Sequence, residues 1–271
     1  MTTAGSATQG LTSTQRRLIT GIAVIAGATT MVSAAYNYIL DPMLDAFNAT
    51  ESQASLLRQL PSIAALLVVF LAGVLGDRFG DRRVLYAGGA LFTAGSLLVA
   101  VAPVFALAAL GMVVQSIGTS ITFVVALGLL SARISDPAGR ASAFSVFAII
   151  SPVIYLLLPV IAGALVDNRT WRLVPLIWTL GGLVMIWACW RLLPPDEQIR
   201  GGGELVTPVI AGLVLAAGVQ TINSASNAGA TAPDTLIRLG LTVTGLVVLA
   251  ILYARRPGRR CRWRHCGGEA C

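Results

Sequence analysis

The sequence predicts an all-α integral membrane protein built from a bundle of spanning helices. Of its 271 residues, 56% are hydrophobic and only 11% are charged, and the mean hydropathy is +0.80. A soluble domain carries roughly 25% charged residues, so a chain this apolar belongs in lipid. The apolar stretches are long and do not alternate with polar residues, which excludes the strand pattern of a membrane β-barrel.

Eight apolar stretches follow one another along the chain, and each is long enough to cross a bilayer. A hydrocarbon core of about 30 Å needs about 20 helical residues at a rise of about 1.5 Å each. Gly, Ala, Ser and Thr recur within the stretches, and small residues let membrane helices pack closely. The predicted spans are Leu18–Leu40, Leu56–Gly76, Val84–Ala102, Val104–Ser131, Ala143–Val166, Leu173–Leu193, Leu205–Ile222 and Leu236–Ala254.

The arginines predict the orientation of these helices. The chain has 19 basic residues, all of them Arg, and a formal net charge of +7. They lie in short loops between apolar stretches rather than on one basic face, so no nucleic-acid partner is expected. With the N-terminus inside, 15 arginines lie on the cytoplasmic side and four outside, in agreement with the positive-inside rule. We expect a multi-pass protein of a bacterial-type plasma (inner) membrane with both termini cytoplasmic. The first span exceeds the apolar core of a signal peptide, so it is expected to stay uncleaved.

The loop between the second and third spans carries the most informative motif. It reads Gly73-Val-Leu75-Gly-Asp77-Arg78-Phe-Gly80-Asp81-Arg82-Arg83. Glycines permit a tight turn, and a carboxylate near a helix end accepts charge-assisted hydrogen bonds. The predicted function is a conformational latch, and the alternative is an ordinary basic loop. The latch residues are Gly73, Asp77, Arg78, Gly80, Arg82 and Arg83.

This motif resembles the loop of the major facilitator superfamily, which reads Gly-x-Leu-Ala-Asp-Arg-x-Gly-Arg-Lys. The match covers Gly73, Leu75, Asp77, Arg78, Gly80 and a basic residue at Arg82, and it departs at Asp81, where the family usually has Arg. The resemblance implies a transporter with six helices in each half and a solute path between the halves.

Two weaker motifs resemble the drug:proton antiporters of that family. In the fourth span, Gln115–Gly118 is similar to the end of Arg-x-x-Gln-Gly-x-Gly, with Met112 in place of the Arg. In the fifth span, Pro159 and Gly163 match Gly-Pro-x-x-Gly-Gly, with Leu158 and Ala162 replacing two glycines. Drug:proton antiport is therefore implied, with departures at key positions.

The layout is closest to the fourteen-helix branch of that family. Residues 1–17 form a cytoplasmic tail, 18–193 a six-helix N-terminal half, 194–204 a cytoplasmic linker, and 205–254 two additional transmembrane helices. The apolar stretches predict eight spans, and the resemblance implies that the C-terminal half, with six further helices, is missing.

The final segment, residues 255–271, differs in composition from everything before it. It holds the only histidine and three of the four cysteines, which indicates out-of-frame translation of a truncated gene. Zinc binding by these residues is an alternative, but a Cys-x-x-Cys spacing is absent from the sequence, so no metal is predicted. Binding of anionic lipid by this Arg-rich segment is a second alternative.

Polar residues inside spans are the candidates for a solute cavity, because an unpartnered polar group in hydrocarbon is costly. These are Tyr36, Asn37, Gln115 and Tyr155. For each one, hydrogen bonding between helices is the alternative. Asp41, at the outer edge of the first span, is the candidate outer proton acceptor.

The predicted function is efflux of a small drug-like or amphiphilic solute by alternating access, proton-coupled in the full-length form. The alternative is a half-transporter that works only with a partner half. Ser-His-Asp and His-Glu-x-x-His motifs are absent from the sequence, so neither enzymatic activity nor a cofactor is predicted. The expected partners are membrane lipid, a small-molecule substrate and protons.

Overall fold

The computed structural model describes residues 13–133, 137–168, 171–193, 206–228 and 233–254. These residues are almost entirely α-helical, and they include no β-strand. The helices are α1 Ser13–Ala46, α2 Glu51–Phe79, α3 Asp81–Val101, α4 Phe105–Arg133, α5 Pro137–Asn168, α6 Leu173–Leu192, α7 Val206–Ala228 and α8 Pro233–Ala254. The predicted all-α membrane fold is therefore confirmed.

Several helices extend beyond the apolar stretches that predicted them. Helix α2 begins five residues before Leu56, because Thr50 and Gln53 form a reciprocal capping box at its N-terminus. Helix α1 runs through Pro42 to Ala46. Hydropathy marks only the part of a helix inside the hydrocarbon, so polar ends of this kind are missed.

Among the described residues, seven helices contain an apolar stretch long enough to cross a membrane. Helix α8 has a shorter one, Thr235–Ile251. The chain divides into two compact units, Met1–Gly203 and Glu204–Cys271. The first contains α1–α6 and the second contains α7 and α8.

Within the first unit, the helix contacts repeat between its first and second three helices. Helix α2 packs on α4 as α5 packs on α1, and α3 packs on α4 as α6 packs on α1. Helices α3 and α6 pack on each other, as do α1 and α4. Exchanging α1–α3 with α4–α6 leaves this set of contacts unchanged, which is the pattern of an internal three-helix repeat.

The core of this unit lies where α3 meets α4 and α6. Its largest fully buried side chains include Phe92, Trp178, Met185 and Val99. Glycines bring α3 and α4 into close contact: an added Cβ on Gly111 would lie 2.9 Å from the Gly95 carbonyl oxygen. On Gly118 it would press on backbone atoms of Gly88 and Phe92. Lipid supplies no hydrophobic driving force for helix association, so close packing at small residues stabilises the bundle instead.

The second unit is a pair of helices, α7 and α8, that pack on each other. The hydroxyls of Thr221 and Thr242 lie 3.1 Å apart across this contact. An added Cβ on Gly245 would lie 2.5 Å from a methyl of Val214. A small residue and a pair of hydroxyls therefore hold this helical hairpin together.

Candidate functional site

A cavity of about 320 Å³ lies between α1, α2 and α4, close to the middle of α2 and α4. Its lining residues share helical spacing, so each helix contributes a single face. Helix α2 contributes positions 58, 61, 62 and 65, which is the series i, i+3, i+4 and i+7. The full lining is Val32, Ser33, Tyr36, Asn37, Arg58, Pro61, Ser62, Ala65, Met112, Gln115, Ser116, Thr119 and Ser120.

Two predicted cavity residues, Tyr36 and Asn37, reach this space from α1. The Tyr36 hydroxyl donates a hydrogen bond of 3.3 Å to the carbonyl of Leu57 and so connects α1 to α2. The Asn37 side chain is exposed, and its amide has no hydrogen-bond partner among the described residues. A solute in the cavity would therefore meet an amide free to donate and accept.

Gln115 hydrogen-bonds to a neighbouring helix and also lines the cavity. Its side chain is only 2% exposed, and Nε2 donates a hydrogen bond of 2.7 Å to Oγ of the fully buried Ser96. The Ser96 hydroxyl in turn donates to the carbonyl of Phe92 at 2.8 Å. Gln115 thus connects α3 to α4 while also lining the cavity.

The fourth predicted residue, Tyr155, does not lie in this cavity. It is on α5 and is 51% exposed. Helix α5 packs on α1, where the Thr30 and Ser151 hydroxyls lie 3.3 Å apart and Ile154 approaches Gly27. Thr30 and Asn37 lie on almost the same side of α1, because seven residues are only about 20° short of two full turns, yet no described residue of α5 is among the lining residues. The α5 motif residues Pro159 and Gly163 are likewise outside the lining, and an added Cβ on Gly163 would meet nothing within 4 Å.

Arg58 is a cavity residue that the sequence analysis did not select. It lies two residues inside the predicted second span, and with the N-terminus inside it is one of the four arginines expected on the outer side. The structure places it within α2, on the row that faces the cavity. Its guanidinium lies 3.8 Å from a carboxylate oxygen of Asp41, the candidate proton acceptor. The i, i+3, i+4, i+7 row that starts at Arg58 is the sequence signal that could have found it.

The loop motif forms a tight connection between α2 and α3. Gly80 has a φ of 92°, a conformation that favours glycine, and its N–H bonds to the Gly76 carbonyl at 2.9 Å. Arg78 in the last turn of α2 and Asp81 in the first turn of α3 both complement the helix dipoles. An added Cβ on Gly76 would lie 2.7 Å from the Asp81 carboxylate, whereas one on Gly73 would meet nothing within 4 Å.

The charged residues of this motif fall into two groups. Arg82 is half-buried, and its guanidinium donates a hydrogen bond of 2.8 Å to the carbonyl of Trp190 near the end of α6. Asp77, Arg78 and Arg83 are exposed, and Asp77 has no hydrogen-bond or ion-pair partner among the described residues. Arg82 is therefore hydrogen-bonded to α6, whereas Asp77 lies on the surface.

Arg82 has a counterpart at the other end of the α3–α6 contact. Arg172, which directly precedes α6, donates a hydrogen bond of 2.9 Å to the carbonyl of Ala100 near the end of α3. Each arginine thus binds the C-terminal carbonyls of the neighbouring antiparallel helix, where a cation is favoured by the dipole. The same kind of arginine–carbonyl hydrogen bond therefore occurs at both ends of the α3–α6 contact. The three-helix repeat relates α3 to α6.

A comparison with known families decides the identity of this bundle. The sequence profile described as Major Facilitator Superfamily matches residues 21–264. The chain belongs to the major facilitator superfamily. The resemblance that the α2–α3 loop predicted is therefore confirmed, and the helices are those of a multi-pass membrane protein of that family.

Several curated relatives of this superfamily member come from Mycobacterium tuberculosis. The multidrug resistance protein Stp of strain CDC 1551 / Oshkosh is 26% identical over 199 residues, which is 72% of this chain and 36% of Stp. The MFS-type transporter EfpA of the same strain is 29% identical over 188 residues, which is 69% of this chain and 34% of EfpA. The chain thus spans about a third of the length of these relatives.

Solved transporters of the superfamily share the fold. A crystal structure of the peptide transporter POT in complex with sulfate superposes with a TM-score of 0.63 at 16% identity. The match covers 92% of this chain and 53% of that transporter. A crystal structure of the D-xylose-proton symporter gives a TM-score of 0.51 at 15% identity, covering 89% of this chain and 67% of the symporter.

Proposed function

We propose that the chain contributes a solute-binding half to a transporter that exports a small drug-like or amphiphilic solute by alternating access. The observation that carries the proposal is the cavity between α1, α2 and α4. On α4 it lies near mid-helix, at the depth where secondary transporters hold their solutes, and its volume of about 320 Å³ suits a small organic molecule. Tyr36, Asn37 and Gln115 are proposed to bind the solute.

The proposed setting is a bacterial-type inner membrane with both termini in the cytoplasm. The distribution of arginines supports this orientation. It places Asp41 and Arg58 toward the outer surface and the α2–α3 loop toward the cytoplasm. The cavity residues of α1 and α2 then lie on the outer side of the mid-plane.

Proton coupling is proposed to involve Asp41. Its carboxylate lies 3.8 Å from the guanidinium of Arg58, which lines the cavity. A proton on Asp41 would remove the negative charge beside Arg58 and would change the electrostatics of the solute site. In the complete transporter, Asp41→Asn is expected to abolish solute movement driven by a pH gradient while solute exchange at equal pH continues.

The second half of the path is proposed to come from a partner. In this family, two six-helix halves enclose one path, and the α2–α3 motif acts as a latch between conformations. The exposed carboxylate of Asp77 is available to such a partner, whereas Arg82 is already bonded to α6. Asp77, Arg78 and Arg83 are therefore the proposed contact residues of the latch.

Proteoliposomes test this proposal directly. The full 271-residue chain would be reconstituted alone and together with a co-expressed C-terminal half of a related exporter, and movement of ethidium and of 1-naphthaleneacetate would be followed under a pH gradient. We expect transport only when both halves are present, and its loss with Asp77→Asn. Transport by the chain alone would show that no partner half is needed, and its absence in both preparations would contradict the proposed function.

A further inference from the structure

The charge of the cavity depends on one residue. Among the described residues that line it, Arg58 alone carries a formal charge, and the others are neutral polar or apolar. Ionisable residues in spanning helices are costly and generally serve a function. Arg58 begins the row of α2 that faces the cavity, so its side chain projects toward the cavity.

The bonding capacity of Arg58 is mostly unused. A guanidinium presents five N–H donors in a fork that fits a carboxylate through two parallel hydrogen bonds. Asp41 is at 3.8 Å, beyond the distance of a good hydrogen bond, and the two side chains are 57% and 78% exposed. Such an exposed pair is weak, so an incoming anion can displace Asp41 from Arg58.

The remaining lining indicates the rest of the solute. Met112, Val32 and Ala65 supply apolar contact, and Asn37 supplies an unpaired amide. None of the described lining residues is acidic, and Asp41 already lies beside Arg58, so the lining itself offers an organic cation no acidic partner. An acid with an apolar body would have a partner at each end.

We propose that the cavity selects amphiphilic solutes with an anionic group, bound through the Arg58 guanidinium, and that Asp41 competes with the solute for Arg58. This inference rests on the proposed function in taking the cavity as the solute site. It adds the sign of the charge on the solute and identifies Arg58 as the residue that recognises this charge.

Binding measurements with charge-matched probes test the inference without requiring transport. The purified full chain would be placed in nanodiscs of zwitterionic lipid and titrated with 1-naphthaleneacetate, with its neutral amide and with 1-naphthalenemethylamine. We expect the acetate to bind more tightly than the other two probes. Since a charge-assisted bidentate contact is lost, Arg58→Gln should weaken acetate binding by about tenfold or more and leave amide binding nearly unchanged.

Two further variants separate this role from a structural one. Asp41→Asn removes the competing carboxylate, so acetate binding should become a few-fold tighter, which a merely damaged cavity would not show. Arg191→Gln removes an exposed arginine at the far end of α6 and is the matched control, with no expected effect. Equal binding of acetate by wild type and Arg58→Gln, or preference for the amine, would overturn the inference.

A lipid headgroup offers the same anionic chemistry as a solute. Nanodiscs containing phosphatidylglycerol distinguish the two sources, because acetate affinity should be unaffected if the site serves solutes. Competition by the anionic lipid would show that Arg58 binds headgroups and would overturn the inference. Amide binding that is sensitive to Asn37→Leu, with no charge preference, would contradict only the inference. Failure of every probe to bind would count against the proposed function itself.

Discussion

Helix α4 presents two contrasting faces within the six-helix unit. One face meets α3 through Gly111 and Gly118, where an added Cβ would press on backbone atoms of the neighbouring helix. The other face, which includes Ser116 and Thr119, lines the cavity shared with α1 and α2. Both faces are rich in small and polar residues, so composition alone does not distinguish them.

The difference lies in what each face meets. On the α3 side, backbone meets backbone, and the buried hydroxyl of Thr122 bonds to the Gly118 carbonyl of its own helix at 2.8 Å. On the cavity side, the helices separate, and polar groups such as the Asn37 amide face open space. A close helix contact satisfies its polar groups internally, whereas a binding surface leaves some of them for a ligand.

The largest effect is expected at the packed face. Gly118→Ala places a methyl group against α3, and overpacking of this kind costs about 1–3 kcal/mol. Gly128→Ala is the matched control on the same helix, because nothing lies within 4 Å of its added Cβ. It should gain up to about 1 kcal/mol of helix propensity. Thermal unfolding in detergent should rank the variants in the order Gly128→Ala, wild type, Gly118→Ala, and equal melting temperatures would contradict the assigned α3–α4 contact.

A medium effect is expected at Gln115, which belongs to both faces. Gln115→Leu and Ser96→Ala each remove the same 2.7 Å hydrogen bond, so both should lower stability by about 0.6 kcal/mol. Only Gln115→Leu changes the cavity lining, so it alone should weaken solute binding, by about fivefold for one lost hydrogen bond. Equal solute affinities in the two variants would show that Gln115 contributes to helix packing and not to solute binding.

The smallest effect is expected at Tyr155, and it is compared with Tyr36. Tyr36→Phe removes the hydroxyl that bonds to the Leu57 carbonyl at the cavity, so solute affinity should fall by about two- to fivefold. Tyr155→Phe removes a hydroxyl that the cavity does not contain and should leave affinity unchanged. Titration of both variants with 1-naphthaleneacetate measures the difference, and a loss in Tyr155→Phe would extend the site to α5.

The fold could be predicted from the sequence to a large extent, because lipid imposes strong constraints on a spanning helix. Apolar stretches of the required length predicted each helix of the six-helix unit, α1–α6, and the α2–α3 loop predicted the family. The helix ends were less predictable. Those of α1 and α2 depend on capping and on polar residues outside the hydrocarbon, which hydropathy does not register.

The candidate site was predictable only in part. Tyr36, Asn37 and Gln115 could be selected as polar residues inside spans, but which of them share a cavity depends on how the helices are arranged. Tyr155 has the same sequence character but is outside the lining, because the described residues that line the cavity come from α1, α2 and α4 and not from α5. Arg58 was missed because a charge near a span boundary also fits a loop residue.

The Arg- and Cys-rich segment 255–271 and the linker 194–204 lie outside the described residues. Out-of-frame translation stays a prediction for that tail, and zinc binding and lipid binding stay the alternatives to it. The domain boundaries proposed from sequence stay predictions as well. The division of the chain into units at residues 203 and 204 is a property of the helix contacts alone.

The central claim is that the cavity between α1, α2 and α4 is the solute site, and solute protection of a cysteine in its lining tests this most directly. In a chain with its four native cysteines replaced, Ser62→Cys lies in the cavity lining, and Ser55→Cys lies on the same helix outside it. Saturating 1-naphthaleneacetate or its amide should slow maleimide labelling at position 62 and leave labelling at position 55 unchanged. Unchanged labelling at position 62 under conditions where the probe is bound would place the solute elsewhere and contradict the account.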